Sequence, residues 1–257
     1  AAGTLASVKS SAAQNPRQLS KTGLQAIVES LASAIKRQQW QPPQTEWGDY
    51  YENTNYSDGS TDEKRRLVDD YLSSIDEPLN VVHDLGANTG EFSRIAARHA
   101  SLVVSQDIDP VAVERNYRRL VSGSPKNVLP LLQDLYAPSP AIGWGNEERD
   151  SFRQRGRCDA ILALALVHHL AISNNTPLSR IAGLFAELTQ WLVIEFVPKS
   201  DSQVVRLLQT REDVFPHYNR QGFEKAFSAY FNIVRSEAVA GSERQLYLMH
   251  SLTFESS

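Results

Sequence analysis

Residues 81–92 read VVHDLGANTGEF, and this stretch decides the fold of the chain. A short apolar run ends in an acid, a loop with two glycines follows, and an amphipathic stretch begins at Glu91. This order predicts a buried strand that turns into a helix. The glycines allow the backbone to approach a ligand closely, and the start of the helix presents N–H groups to it. Such a corner is typical of a site for a nucleotide-like cofactor.

The spacing within this loop excludes two common nucleotide motifs. The dinucleotide fingerprint Gly-x-Gly-x-x-Gly would need glycine at Asn88 and at Glu91, and the Gly-Lys-Ser/Thr of a Walker loop is absent. What remains is Asp-x-Gly-x-Asn-x-Gly, formed by Asp84, Gly86, Asn88 and Gly90, which we expect to bind the cofactor. An acid at the end of the strand would repel a pyrophosphate but suits a positively charged ammonium group. Asparagine tolerates left-handed backbone angles better than most residues, so it can replace the middle glycine.

From residue 79 onward, short apolar runs alternate with amphipathic stretches, which indicates a parallel sheet covered by helices on both faces. The apolar runs predict strands at residues 81–85, 102–105, 128–132, 160–166 and 192–197. The amphipathic stretches predict helices at 91–99, 110–121 and 177–191. Two later runs, 231–239 and 245–251, are joined by a short turn and predict an antiparallel hairpin.

Acids follow three successive predicted strands. Asp107 lies about 20 residues after Asp84, the spacing at which an acid binds a ribose diol. Asp109 is the alternative for that role, although Asp109-Pro110 also looks like the start of a helix. Asp134 follows the third strand. Because open α/β sheets bind ligands at the carboxyl ends of their strands, we expect Asp84, Asp107 and Asp134 to lie in one site.

The loop motif resembles the first motif of class I S-adenosylmethionine-dependent methyltransferases, usually Asp/Glu-x-Gly-x-Gly-x-Gly. The runs DLGANTGEFSRIAA (84–97), ALALVHHLAISNN (163–175) and IEFVPKSDSQVVRLL (194–208) resemble a bacterial group described as nodulation-type methyltransferases, from about residue 45 to the end. The resemblance implies an α/β, Rossmann-like class I methyltransferase fold. Its sheet would be seven-stranded and mostly parallel, with a C-terminal antiparallel hairpin and helices on both faces. The implied cofactor is S-adenosyl-L-methionine.

The resemblance also implies roles for residues around the cofactor. Asp134 would receive the adenine amino group, and Leu135 and Ile108 would flank the ring. In many class I methyltransferases the segment before the core covers the cofactor. Tyr51 and Tyr56 are therefore candidates for contacts to the methionine end or for a lid.

His168 and His169 stand at the end of the fourth predicted strand, where the reacting methyl group should lie. Histidine titrates near neutrality, so it suits a general base that takes a proton from a hydroxyl or amine. Because adjacent side chains on an extended segment point opposite ways, we expect one to face the site and favour His169. The alternative is that both are structural.

Glu195 lies inside the apolar run 191–197, where a carboxylate is costly unless it is paired. It either faces the pocket as an acid, a base or a substrate ligand, or it pairs with an arginine or lysine. A metal site built from His168, His169 and Glu195 has no spacing signature to support it, so we expect no metal.

Composition and charge limit the partners, the metal sites and the location that the chain can have. The 257 residues carry 26 Lys+Arg and 30 Asp+Glu, and the net charge of −4 argues weakly against a nucleic-acid partner. The single Cys158 excludes an intramolecular disulfide and a Cys-based zinc site. No apolar run approaches the ~20 residues that span a bilayer, so we expect a cytoplasmic protein without a membrane partner. The chain begins at Ala1 without methionine, from which we expect an upstream domain absent from it.

Two regions are expected: residues 1–45 as a linker and an amphipathic helix, and residues 46–257 as the S-adenosylmethionine-dependent methyltransferase domain. The expected activity is methyl transfer to an oxygen or nitrogen of a small molecule, with a saccharide among the candidates. One alternative is a non-catalytic module that binds S-adenosylmethionine within a larger protein. Another is an RNA or protein methyltransferase.

Overall fold

A computed structural model describes residues 19–38, 40, 43, 58–209 and 211–253. The chain divides into two compact units, residues 1–42 and 43–257. The first unit contains helix α1, Lys21–Arg37. The Ser20 hydroxyl caps α1 by accepting a hydrogen bond from the Gly23 amide at 3.1 Å, and two cations close its last turn.

Within the described residues of the second unit, seven strands form one sheet in the order β3-β2-β1-β4-β5-β7-β6. Strands β1 to β5 are parallel to one another, and β7 runs antiparallel to both β5 and β6. The predicted fold class is thereby confirmed, including the C-terminal hairpin. The strands are β1 Leu79–Leu85, β2 Ala100–Asp107, β3 Val128–Leu132, β4 Cys158–Ala163, β5 Thr189–Phe196, β6 Phe231–Ala238 and β7 Gln245–Ser251.

The helices that follow α1 lie before the first strand or between later strands. They are α2 Asp58–Ser73, α3 Glu91–Ala96, α4 Pro110–Ser122, α5 Phe152–Arg155, α6 Leu178–Leu188, α7 Ser202–Leu208 and α8 Arg220–Phe227. A short 3₁₀ turn spans Trp144–Asn146, and a π-helical turn spans His169–Ser173. Among the described residues of this unit, α2 alone precedes the first strand.

Alternating side chains of the central strands separate two apolar cores, one on each face of the sheet. On β5, Ile194 packs into a cluster with Phe185 of α6 and Phe223 of α8. The neighbouring Val193 points the other way, into a cluster with Leu67 of α2. The expectation of helices on both faces is therefore confirmed.

Strand β1 pairs with β2 on one side and with β4 on the other. The chain thus extends the sheet from β1 in one direction through β2 and β3, and then in the other direction through β4 and β5. This arrangement opens a crevice at the carboxyl ends of β1 and β4, where open α/β sheets bind their ligands.

The chain leaves β4 earlier than the apolar run predicts. The strand ends at Ala163 rather than at residue 166, and Ala165 adopts a left-handed φ of 49° that no strand contains. The His169 amide then donates to the carbonyl of Leu166 at 3.0 Å, which begins a helical turn. The expectation that His168 and His169 lie on an extended segment is therefore wrong.

Candidate functional site

A cavity of about 290 Å³ opens at the carboxyl ends of β1, β2 and β4. Most of the residues predicted for the site line it: Asp84, Gly86, Asn88, Asp107, Ile108, Asp134, Leu135 and His169. Gly90, His168 and Glu195 are not among the lining residues. Tyr51 and Tyr56 lie outside the described residues.

The loop after β1 has the left-handed backbone that its sequence requires. Gly86 has a φ of 74° and Asn88 a φ of 49°. The amides of Gly86 and Ala87 both donate to the carbonyl of Gln106 at 2.9 Å, which ties the loop to β2. The Asn88 side-chain oxygen accepts a hydrogen bond from the Thr89 amide at 2.8 Å. Asparagine therefore occupies the middle position of the motif in the conformation that glycine usually provides.

Gly90 starts α3 with a φ of 74° and lies against α4. A β-carbon at this position would come within 2.3 Å of the Asn116 side chain. The requirement for glycine here comes from helix packing and backbone conformation, since the residue does not line the cavity.

Asp107, the last residue of β2, holds the loop that follows β1. Its Oδ2 accepts from the Asn88 amide at 2.7 Å, and its Oδ1 accepts from the Asp109 amide at 2.8 Å. Burial raises the pKa of Asp107, and these backbone donors oppose that rise. Each carboxylate oxygen has a second lone pair, so the group can also accept from ligand hydroxyls. Asp109 has a different task, since its Oδ1 caps α4 by accepting from the Val111 amide at 2.9 Å.

Asp84 is almost completely buried at the end of β1. Burial raises the pKa of its carboxyl group to about 6, against a hydrogen bond from the Ser93 hydroxyl at 2.6 Å. The negative charge of Asp107 adds to the rise, and the positive charge of Lys64 opposes it. A cation bound beside Asp84 would favour the ionised carboxylate, so this end of the cavity suits a positively charged group.

The opposite end of the cavity combines apolar side chains with one acid. Ile108 is 60% exposed, which leaves a large apolar surface for a ligand to cover. Leu135 and Tyr136 line the same end. Asp134 lies beside them, and its Oδ1 accepts from the Tyr136 amide at 2.8 Å. This combination suits a flat ring with a hydrogen-bond donor at its edge.

Of the two histidines, His169 faces the cavity. Burial, with a contribution from the charge of Arg244, lowers the pKa of His169 to about 4, so the ring is neutral at pH 7. His168 is fully buried, and its ring centroid lies 4.0 Å from that of His169. Neither ring nitrogen of His168 has a hydrogen-bond partner among the described residues. Burial lowers the pKa of His168 well below its usual range.

Glu195 is fully buried at the centre of an ion network. Its Oε2 accepts from the Lys64 ammonium at 2.7 Å and from the Ala165 amide at 2.7 Å. The Arg244 guanidinium approaches its Oε1 to 3.8 Å and also donates to Asp201 at 2.7 Å. Pairing with a lysine and an arginine, one of the two alternatives for Glu195, is therefore the arrangement in the structure.

Lys64 is a lining residue that sequence reasoning missed. It lies on α2 at three and four residues before the buried Leu67 and Val68, so it belongs to the apolar face of that helix. A lysine on the apolar face of a helix indicates that a buried acid lies near it, and this pattern can be seen in the sequence.

The described part of the chain contains no group of three His, Cys, Asp or Glu side chains arranged to hold a metal ion. No helix among the same residues is both long and apolar enough to cross a bilayer.

Comparison with known proteins gives one curated relative and many structures of the same fold. No family model matches the chain. It is 37% identical over 243 residues to nodulation protein NoeA of Rhizobium meliloti (strain 1021). The match covers 94% of this chain and 49% of NoeA, so the chain spans about half the length of that relative.

Two crystal structures illustrate the fold. N-methyltransferase NodS from Bradyrhizobium japonicum WM9, in complex with S-adenosyl-L-homocysteine, has a TM-score of 0.56 and 12% identity, covering 81% of this chain and 100% of NodS. Magnesium protoporphyrin IX methyltransferase (ChlM) from Synechocystis PCC 6803, with the same bound product, has a TM-score of 0.50 and 16% identity, covering 90% of this chain and 100% of ChlM. At these identities the likeness establishes a shared fold.

Proposed function

The chain has the class I methyltransferase fold and is a relative of a rhizobial nodulation protein, and we propose from these premises that it is an S-adenosyl-L-methionine-dependent methyltransferase. The methyl group passes to an oxygen or nitrogen of a small molecule. A saccharide is the first acceptor class to test, because the relative is named for nodulation. One observation carries the proposal: Asp84, Asp107 and Asp134 stand at or just after the carboxyl ends of three adjacent strands and line one cavity.

The chemistry of the cavity matches the parts of the cofactor in order. The Asp107 carboxylate receives the ribose hydroxyls, and Asp134 receives the adenine amino group. Ile108 and Leu135 cover the faces of the ring. At the other end Asp84 faces the ammonium group of the methionine part, which favours its ionised form. The left-handed loop at Gly86 and Asn88 lets the backbone come close to the cofactor between these two ends.

We expect Asp107→Ala to weaken binding of S-adenosylmethionine by about 1–3 kcal/mol, because two hydroxyls lose a charged acceptor. Isothermal titration calorimetry measures the change. Asp159 offers a matched control at the amino end of β1, away from the cavity. Its Oδ2 accepts hydrogen bonds from the amides of Asn80 and Val81 at 2.6 and 2.8 Å. Asp159→Ala should leave the affinity unchanged. Equal affinities for all three proteins would exclude Asp107 as the ribose ligand.

Methyl transfer is an in-line displacement at the sulfonium carbon, so the protein chiefly orients the two reactants and excludes water. The acceptor oxygen or nitrogen forms the new bond to carbon as the carbon–sulfur bond breaks. Its proton must pass to a base, and His169 is the neutral imidazole that faces the cavity. Glu195 cannot serve in this way, because its carboxylate is already bound to Lys64 and to the Ala165 amide.

His169→Gln should lower the rate of methyl transfer about 10²-fold, the low end of the range for general bases, because a pKa of about 4 makes His169 a weak base. Transfer of a radiolabelled methyl group to a panel of saccharides measures the rate. With saturating cofactor, which keeps Asp84 ionised, the rate of the native protein should stay level from pH 8 to pH 6, since His169 remains neutral over that interval. Substitution of the exposed His217 provides the control.

Binding of the cofactor without any labelled product from saccharides, small-molecule extracts, RNA or protein would instead favour the non-catalytic module. A labelled product that forms at the same rate with His169→Gln would leave methyl transfer in place and exclude His169 as the base. The two parts of the proposal therefore fail separately.

A further inference from the structure

A second cavity, of about 540 Å³, lies at the amino ends of β4, β5 and β6, at the opposite edge of the sheet from the proposed cofactor cavity. Arg157 directly precedes β4, Glu187 lies in the last turn of α6 just before β5, and Tyr230 directly precedes β6. None of the described residues lines both cavities. The volume is within the range of pockets that bind small molecules. We call this cavity the arginine cleft, after Arg153, Arg157 and Arg180, which line it.

The outward face of α6 forms the floor of the arginine cleft. Arg180, Gly183 and Glu187 recur at steps of three and four residues, which places them on one side of the helix. Gly183 has no side chain, and a β-carbon at this position would lie 3.4 Å from the Tyr230 ring. The ring therefore lies close to the helix backbone and forms one wall of the cleft. A second wall comes from α5 and from the segment that leads into β4.

The lining of the arginine cleft is positively charged. Three positive charges come from Arg153, Arg157 and Arg180, which are all exposed. Glu187 is the one acid among the described lining residues, and it forms an ion pair with Arg153 that joins α6 to α5. An excess of two positive charges remains in the lining, although the whole chain carries a net charge of −4. Charges of one sign that line a concave surface attract a ligand of the opposite charge.

We propose that the arginine cleft binds the phosphate groups of a small phosphorylated molecule. A guanidinium group donates two parallel hydrogen bonds to one phosphate and keeps its charge throughout the physiological pH range. A ligand with two negative charges matches the excess charge of the lining. Leu184 and Tyr230 are both half-buried and provide an apolar surface for the part of the ligand that bears the phosphate groups. This site lies outside the proposed methyl-transfer site and does not depend on it.

Pyrophosphate is the probe, because it carries two adjacent phosphate groups and no other part. Isothermal titration calorimetry at low salt should show saturable binding of one pyrophosphate to each native chain. The double variant Arg157→Gln/Arg180→Gln removes two positive charges from the lining and should weaken this binding at least about tenfold. Both arginines are exposed, so the variant should keep the circular dichroism spectrum and the urea midpoint of the native protein.

A second double variant separates a specific site from general electrostatic attraction. Arg98→Gln/Arg118→Gln removes the same charge from surface ion pairs with Asp69 and Glu114, and it should bind pyrophosphate as the native protein does. Equal affinity of all three proteins, or no saturable binding to the native protein, would overturn the proposal. Tighter binding of a single-stranded oligoribonucleotide than of pyrophosphate, lost in the first double variant, would also overturn it, since the cleft would then be an RNA site.

Discussion

Replacing Glu195 with alanine is expected to lower the free energy of unfolding by about 3–5 kcal/mol. The carboxylate is fully buried and bonds to Lys64, which is itself 5% exposed. Without Glu195, the Lys64 ammonium loses the carboxylate that it binds at 2.7 Å, whereas Arg244 keeps its ion pair with Asp201. The Ala165 amide also loses its acceptor in a segment whose φ of 49° depends on outside support. Urea unfolding followed by circular dichroism measures the loss.

The double variant Lys64→Met/Glu195→Met tests the cause. Replacing both members of a buried ion pair by apolar residues of similar size is often nearly neutral, so much of the stability should return. Glu63→Ala is the control, because Glu63 forms a surface pair with Arg66 and surface pairs contribute little. If Glu195→Ala unfolds at the same urea concentration as the native protein, the buried network does not stabilise the fold.

The same network shows what the sequence could not predict. Glu195 and Lys64 are 131 residues apart, and nothing in either local pattern names the other. The apolar run around Glu195 does predict that a partner is needed, and the apolar face of α2 carries a lysine that needs one too. The two charges can be assigned to each other only when it is known that α2 packs against the sheet. Long-range pairs of this kind are set by the fold as a whole.

The cofactor loop was predictable because its constraints are local. The acid at Asp84, the glycine at Gly86 and the tolerance of Asn88 for left-handed angles all act within a few residues, and the structure has the expected strand, turn and helix there. The segment after β4 was harder to predict. Its apolar residues read as a longer strand, yet Ala165 turns the chain and His169 starts a helical turn. Periodicity cannot distinguish a buried strand from a buried turn of helix.

We expect the folded protein to lose stability as the pH falls below 6.5, because burial keeps three histidines neutral. Burial lowers the pKa of His83 and His169 to about 4, and that of His168 well below its usual range. The unfolded chain binds protons at these residues near pH 6.5, so between pH 6.5 and pH 4 it binds more protons than the folded chain. The free energy of unfolding therefore falls as the pH falls through this interval.

Asp84 opposes part of this effect. Its pKa is about 6 in the folded protein and 3.8 when the carboxyl group is exposed to water, so the folded chain takes up its proton first and gains stability as the pH falls. Burial raises the pKa of Asp107 too, so this acid acts in the same direction as Asp84. The three histidines outweigh the two acids, and the net loss of stability between pH 7 and pH 5.5 is at most roughly 3 kcal/mol, at about 1.4 kcal/mol per group and pH unit. Urea unfolding at a series of pH values measures the slope.

His168→Leu isolates one of the three contributions. It removes an imidazole whose two nitrogens have no hydrogen-bond partner among the described residues. On acidification the variant should therefore lose less stability than the native protein, by the contribution of one histidine, about 1.4 kcal/mol per pH unit. It should also be more stable at pH 5.5, because no buried base remains there to be protonated on unfolding. The exposed His217→Gln should follow the native slope. A His168→Leu protein with the native slope would show that His168 is not held neutral by burial, since its proton uptake would then contribute nothing to the difference between folded and unfolded chains.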